Sequence, residues 1–154
     1  MRKQGKNEPQ NIRKTSIPGL LIIDKPTYRD DRGFFREAAR LNELEDAAGI
    51  SFNIKQWNHS VSKPRVIRGL HAEGWNKLIY PITGEIFSAL VDVRPESKTF
   101  GKVETFIFKE SEPKLLFIPE GVANSVCVIG NKPVHYFYLV DKYDNGSDEE
   151  SNNF

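Results

Sequence analysis

Most of the chain consists of short apolar or alternating stretches separated by glycine, proline and clustered charge. Residues 20–23, 52–57 and 66–70 are β-favouring segments of this kind. Residues 77–82 run through Thr83-Gly84 into residues 85–93, a pattern that predicts a hairpin. Gly84 would take the turn backbone that a residue bearing a Cβ resists. Further strands are predicted at 103–108, 114–118, 125–129 and 134–140. In the last of these, Val134, Tyr136, Tyr138 and Val140 alternate with His135, Phe137 and Leu139. Both faces are largely apolar, so a central strand buried on both sides is expected. One helix is predicted over 38–48, where Leu41, Leu44 and Ala48 recur three and four apart and Gly49 offers a stop. Many short strands around one short helix predict a mainly β fold, a barrel or a jelly roll.

At 154 residues the chain has the length of one domain, and its 38% hydrophobic content can fill one core. Charge nearly cancels, with 22 Lys+Arg against 21 Asp+Glu, so bulk charge gives no reason to expect a nucleic-acid partner. No run approaches the ~18–20 apolar residues of a membrane span, and no membrane partner is expected. The single cysteine, Cys127, excludes an internal disulfide and a multi-cysteine zinc site. The first residues lead into no apolar signal core, so the expected setting is a reduced cytoplasm. Residues 1–16 carry five cations against Glu8 and are expected to form a basic, flexible arm. Residues 17–144 would form the domain, and 145–154 an acidic tail.

Three segments hold the candidate chemistry. The first is Asp31-Arg32-Gly33-Phe34-Phe35-Arg36-Glu37. The second is Arg68-Gly69-Leu70-His71, followed by Lys77 and Gly84-Glu85-Ile86-Phe87. The third runs from Phe117 through Ile118-Pro119-Glu120-Gly121-Val122-Ala123-Asn124 and is followed by Tyr138. Singly, each has an ordinary structural explanation: a histidine at a strand end, an Arg-Gly turn, a core tyrosine.

In this order, the segments resemble the dTDP-4-dehydrorhamnose 3,5-epimerase family, whose fold is a cupin double-stranded β-helix, or jelly roll. Asp31 to Glu37 is similar to the family's D-x-R-G-x-F-x-E, with one spacer residue fewer after Asp31. Gln56, Asn58 and Ser60 match its Q-x-N-x-S, and Arg68-Gly69-Leu70-His71 its R-G-L-H. Lys77-Leu78-Ile79 approximates K-L-V, while Gly84-Glu85-Ile86-Phe87 and Val91-Asp92-Val93-Arg94 follow G-E-I-F and V-D-I-R. Thr99-Phe100-Gly101-Lys102 matches T-F-G-K, and Ile118 to Ala123 matches I-P-x-G-x-A. The resemblance covers roughly residues 17–150.

The resemblance implies an epimerase that inverts one or both carbons, C3 and C5, beside the ketone of a nucleotide-linked 4-keto-6-deoxy sugar. His71 would be the base, Tyr138 the acid that returns a proton from the other face, and Lys77 the cation beside the enolate oxygen. Arg32, Glu37, Gln56, Asn58, Arg68 and Asn124 would bind the ligand, with the arginines on the diphosphate and Glu37 on the nucleoside. Glu149 is added on spacing alone. The chemistry suits these residue types. A ketone acidifies its neighbouring C–H bonds, neutral His can take the proton, and a cation steadies the oxyanion. No cofactor is implied. No metal is expected either, because of His59, His71 and His135 only His71 lies in a matching motif. The family's dimers exchange N-terminal strands, which would place Arg32 and Glu37 in the partner's pocket.

Four features depart from the pattern. His71 and Lys77 are separated by a shortened loop, Ser88 stands where the family places an Asp, and Asn124 replaces a His. The chain also ends at Phe154, before the late Asp that partners the family's base, so Asp92 or an acid of a partner subunit is considered as its substitute. Two other readings therefore remain open. One is a keto-sugar 3,4-isomerase; the other is a nucleotide-sugar or carbohydrate-binding protein without turnover.

Overall fold

The structure is a computed structural model that describes residues 11–24 and 26–144. The acidic tail at 145–154, and Glu149 with it, lies outside the described residues, as do residues 1–10. Among the described residues the elements run β1 (Asn11–Lys14), β2 (Leu21–Asp24), β3 (Tyr28–Asp30), β4 (Gly33–Phe35), α1 (Leu41–Ala48), β5 (Gln56–Ser62), β6 (Ile67–His71) and β7 (Lys77–Pro81). They continue with β8 (Glu85–Asp92), β9 (Val103–Lys109), β10 (Lys114–Ile118), β11 (Val122–Val128) and β12 (Val134–Val140).

Two antiparallel sheets face each other as a jelly roll. One has the order β1-β2-β10-β7-β12-β5 and the other β6-β11-β8-β9, while β3 and β4 form a separate two-stranded ribbon. Between the sheets lies the main core, including Ile22, Ile79, Ile86, Leu90, Leu116 and Val128. A second apolar layer covers the outside of the larger sheet, where Leu44 of α1 and Phe52 pack on Leu21, Ile23, Leu78, Leu115 and Phe117. Strands β2, β7 and β10 are thus buried on both faces, which is why their sequences are nearly continuous apolar runs.

Several expectations change. The predicted hairpin of 77–82 with 85–93 does not form: β7 pairs with β10 and β12, whereas β8 pairs with β9 and β11. Thr83-Gly84 instead crosses from one sheet to the other. Gly84 has φ +72°, and a Cβ there would meet Val134 Cγ2 at 2.9 Å. Local alternation shows that two strands follow one another, but their pairing depends on the apolar partners each needs. Strand β12 has β7 on one side and the edge strand β5 on the other. Its His135, Phe137 and Leu139 are only half-buried, so it is not the doubly buried central strand expected.

The helix begins at Leu41 rather than Ala38, because Arg40 is extended at φ −114° and ψ 113°. It stops as expected at Gly49, which is left-handed at φ 70° and donates its N–H to the Glu45 carbonyl. The strand expected at 52–57 starts only at Gln56, and Phe52 is instead a core plug set edge-on to Phe117 at 5.3 Å. Within the basic segment 1–16, residues 11–14 are not a flexible arm but strand β1, with Arg13 paired to Asp24 at 2.9 Å. Strand β2 sits inside its own chain's sheet between β1 and β10. The N-terminal ribbon β3–β4 pairs with neither sheet, and its Phe34 and Phe35 are 57% and 65% exposed.

Candidate active site

A cavity of about 460 Å³ opens between the two sheets, within the ordinary range of small-molecule sites. The smaller sheet contributes Arg68 and His71 from β6 and Asn124 and Val126 from β11. From the larger sheet come Ser60 and Ser62 of β5, Lys77 of β7, and Val134, Tyr136 and Tyr138 of β12. His71 and Tyr138 therefore lie on opposite walls of one space, with Lys77 among its lining.

A bulge brings Arg68 and His71 onto the same wall. In a regular strand, residues three apart point to opposite faces. Here Asn124 pairs with His71 and Val126 with Arg68, so one residue of β11 opposes two of β6, Gly69 and Leu70. The extra residue restores both side chains to the cavity side. Gly69 is required at this point, having φ +98°; a Cβ would lie 2.6 Å from the Asn124 carbonyl oxygen.

Lys77 starts β7 two residues before Ile79, on the inward face, and is buried. Its ammonium forms an ion pair with the Glu73 carboxylate, donates to Asn124 Oδ1 at 3.4 Å and lies 5.1 Å from the centre of the Tyr138 ring. Burial pushes the lysine below its ordinary pKa; the negative charge and hydrogen bond of Glu73 oppose that, with a further contribution from Asp144. Arg68 is held by Nε donating to Ser62 Oγ at 2.7 Å. No described residue hydrogen-bonds the His71 ring, which is exposed at the cavity edge.

Asp92 is not the substitute partner of His71. It is fully buried at the end of β8, away from the cavity lining, and accepts hydrogen bonds from Arg94 at 2.8 Å and from Ser97 and Thr99, each at 2.6 Å. The guanidinium of Arg94 and the two hydroxyls hold its carboxyl well below the usual carboxylate range, against the effect of burial.

His71, Lys77, Tyr138, Arg68 and Asn124 are thus brought together as the sequence suggested. Gln56 and Asn58 do not line the cavity, but they share the inward face of β5 with Ser60 and Ser62. Gln56 donates to Asn58 Oδ1 at 2.8 Å, and its own Oε1 accepts the backbone N–H of Asp144, a lining residue, at 3.0 Å. Arg32 and Glu37 are apart from the cavity of their own chain. Arg32 is 86% exposed and paired with Asp30 on the ribbon, and Glu37 is bound to Arg40 at 2.9 Å.

Sequence reasoning missed Glu73, Trp75 and Tyr136. Buried Trp75 and Tyr136 carry the donors Nε1 and the phenol OH, neither of which has a hydrogen-bond partner in the described structure. Strand period alone places Tyr136 beside Tyr138 on the inward face, yet that position reads as core.

The model of the family described as dTDP-4-dehydrorhamnose 3,5-epimerase matches residues 14–152. The chain belongs to the dTDP-4-dehydrorhamnose 3,5-epimerase family. Its membership makes it an isomerase-class enzyme with a cupin-like jelly roll. The dTDP-4-dehydrorhamnose 3,5-epimerase of Shigella flexneri is 37% identical over 126 residues, covering 79% of this chain and 70% of the relative. That of Salmonella typhimurium is 36% identical over 142 residues, covering 90% and 77%. Among solved structures, the dTDP-6-deoxy-D-glucose-3,5-epimerase of Legionella pneumophila, in complex with dTDP-4-keto-L-rhamnose, superposes with a TM-score of 0.84. It is 32% identical and covers 90% of this chain and 75% of that one.

Proposed function

We propose that the chain epimerises a dTDP-linked 4-keto-6-deoxy sugar at one or both carbons beside the ketone. The observation that carries this reading is the facing of His71 and Tyr138 across one cavity that also holds Lys77. His71 takes the proton from the carbon beside the ketone while the C–H electron pair moves into the carbonyl, leaving an enolate. The enolate oxygen faces the Lys77 ammonium, a buried and preorganised cation. The Tyr138 phenol then gives its proton to the same carbon from the opposite face as the ketone re-forms. The imidazolium and phenolate return to their starting states by exchange with solvent. Arg68, at the cavity edge, binds the diphosphate. The cytoplasmic setting expected from the sequence belongs to the same reading.

Incubating the protein with dTDP-4-keto-6-deoxyglucose in deuterium oxide tests the proposal. Deuterium at C3 or C5 together with inverted configuration is expected. Migration of the carbonyl would identify a 3,4-isomerase instead, and ligand protection without exchange a binding protein.

The same reading includes a homodimer in which the β3–β4 ribbon and the segment after it supply Arg32 and Glu37 to the neighbour. An isolated two-stranded ribbon is marginal in water, and this one exposes Phe34 and Phe35, so a partner surface would stabilise it. Mixing inactive Arg32→Ala and His71→Ala subunits is then expected to restore about a quarter of wild-type turnover, because half the dimers regain one intact site of two. Sites built within single chains would give no recovery.

A further inference from the structure

Glu73 lies on the short loop between β6 and β7, two residues beyond His71, and that loop is tied down on both sides. The Glu73 carbonyl accepts the N–H of Gly121 at 3.2 Å. Asn76 donates from its backbone and side chain to Asp141 at 3.0 and 2.7 Å, and its Oδ1 accepts the Glu120 N–H at 3.0 Å. Trp75 is buried between these ties. The fixed loop carries the Glu73 carboxylate to Lys77, where the two side chains are 22% and 7% exposed.

What else meets the lysine is weak by comparison: a long hydrogen bond to Asn124 and the face of a phenol ring. Burial disfavours the charged form of an ammonium with only such neighbours. We propose that Glu73 is a positioning residue that fixes the Lys77 amino group over the Tyr138 ring and supplies its counter-charge inside the cavity. The proposal rests on the functional reading only in giving that cation a task. The titratable and charged groups lining the same space are Arg68 and His71 from β6, Tyr136 and Tyr138 from β12, and Asp144 beyond it. Of these, Asp144 favours the charged lysine but contributes less than Glu73.

The test uses the full chain labelled with carbon-13 at the lysine ε-carbons, the Lys77 signal being assigned by its loss in Lys77→Arg. Titrated upward from neutral pH, Glu73→Gln is expected to lower the Lys77 midpoint by about one pH unit or more. An unmoved midpoint would overturn the proposal. In deuterium oxide, the alkaline fall in carbon exchange should move down by the same amount, with activity retained just below the new midpoint. A merely structural role for Glu73 would not produce that movement. A moved midpoint with an unmoved exchange profile would support the Glu73–Lys77 pairing and sink the role assigned to Lys77 in catalysis. Should Glu73→Gln fail to fold, the double variant Glu73→Gln/Lys77→Met decides. A Tm restored toward wild type supports mutual compensation of the buried charges, and no restoration overturns it.

Discussion

His71→Ala is expected to slow deuterium exchange at the carbons beside the ketone by ~10²–10⁴-fold, the ordinary worth of one positioned base. Binding of dTDP should change by less than about threefold, because the imidazole acts on the transition state and not on the nucleotide. The structure allows a clean reading of this variant. His71 is exposed, no described residue hydrogen-bonds its ring, and its backbone is held by the pairing of β6 with β11. Alanine therefore removes the base and leaves the bulge and the Arg68–Ser62 contact in place. Exchange kinetics by NMR together with dTDP titration calorimetry make the check. A variant that kept most of its exchange would transfer the base role to another lining residue.

Whether an element is legible in the sequence depends on the kind of force that places it. Strands β10 and β12 were legible to the residue, since their apolar content must be buried whatever the topology. Gly49 marked the helix end because few residues accept its left-handed backbone. Strand β1 was not legible, because it is a charged edge strand held by backbone pairing to β2 and by the Arg13–Asp24 pair. The exchange of sheets at Gly84 was equally hidden: it depends on which partners β7 and β8 find far along the chain.

The same division runs through the site. His71, Lys77, Arg68, Asn124 and Tyr138 stood in segments that resemble a known family, and the fold gathers them. Glu73 stood in the shortened loop, where the resemblance lapses and spacing says nothing about direction. Its carboxylate reaches Lys77 only because Asn76 and Gly121 anchor the loop to distant segments. Asp92 failed for the converse reason. It has the right chemistry, but Arg94, Ser97 and Thr99 already occupy it.

The second large effect is expected from Tyr138→Phe, which should slow inversion by ~10²–10⁴-fold while slowing solvent exchange by less than about tenfold. Deprotonation by His71 does not use the phenol. In the variant, the enolate is re-protonated from the His71 side, so the sugar becomes deuterated without changing configuration. Phenylalanine keeps the aromatic ring that lies 5.1 Å from the Lys77 ammonium, and with it the packing against Tyr136 at 5.8 Å. The loss therefore reports the missing hydroxyl and not a missing ring. Mass spectrometry for deuterium and proton coupling constants for configuration separate the two events on one sample. If exchange and inversion fell together, Tyr138 would be holding the sugar and not protonating it, and the second proton would have to come from elsewhere in the cavity. Tyr136 would then be the first group to replace, since its buried hydroxyl has no hydrogen-bond partner in the described structure and lines the same space.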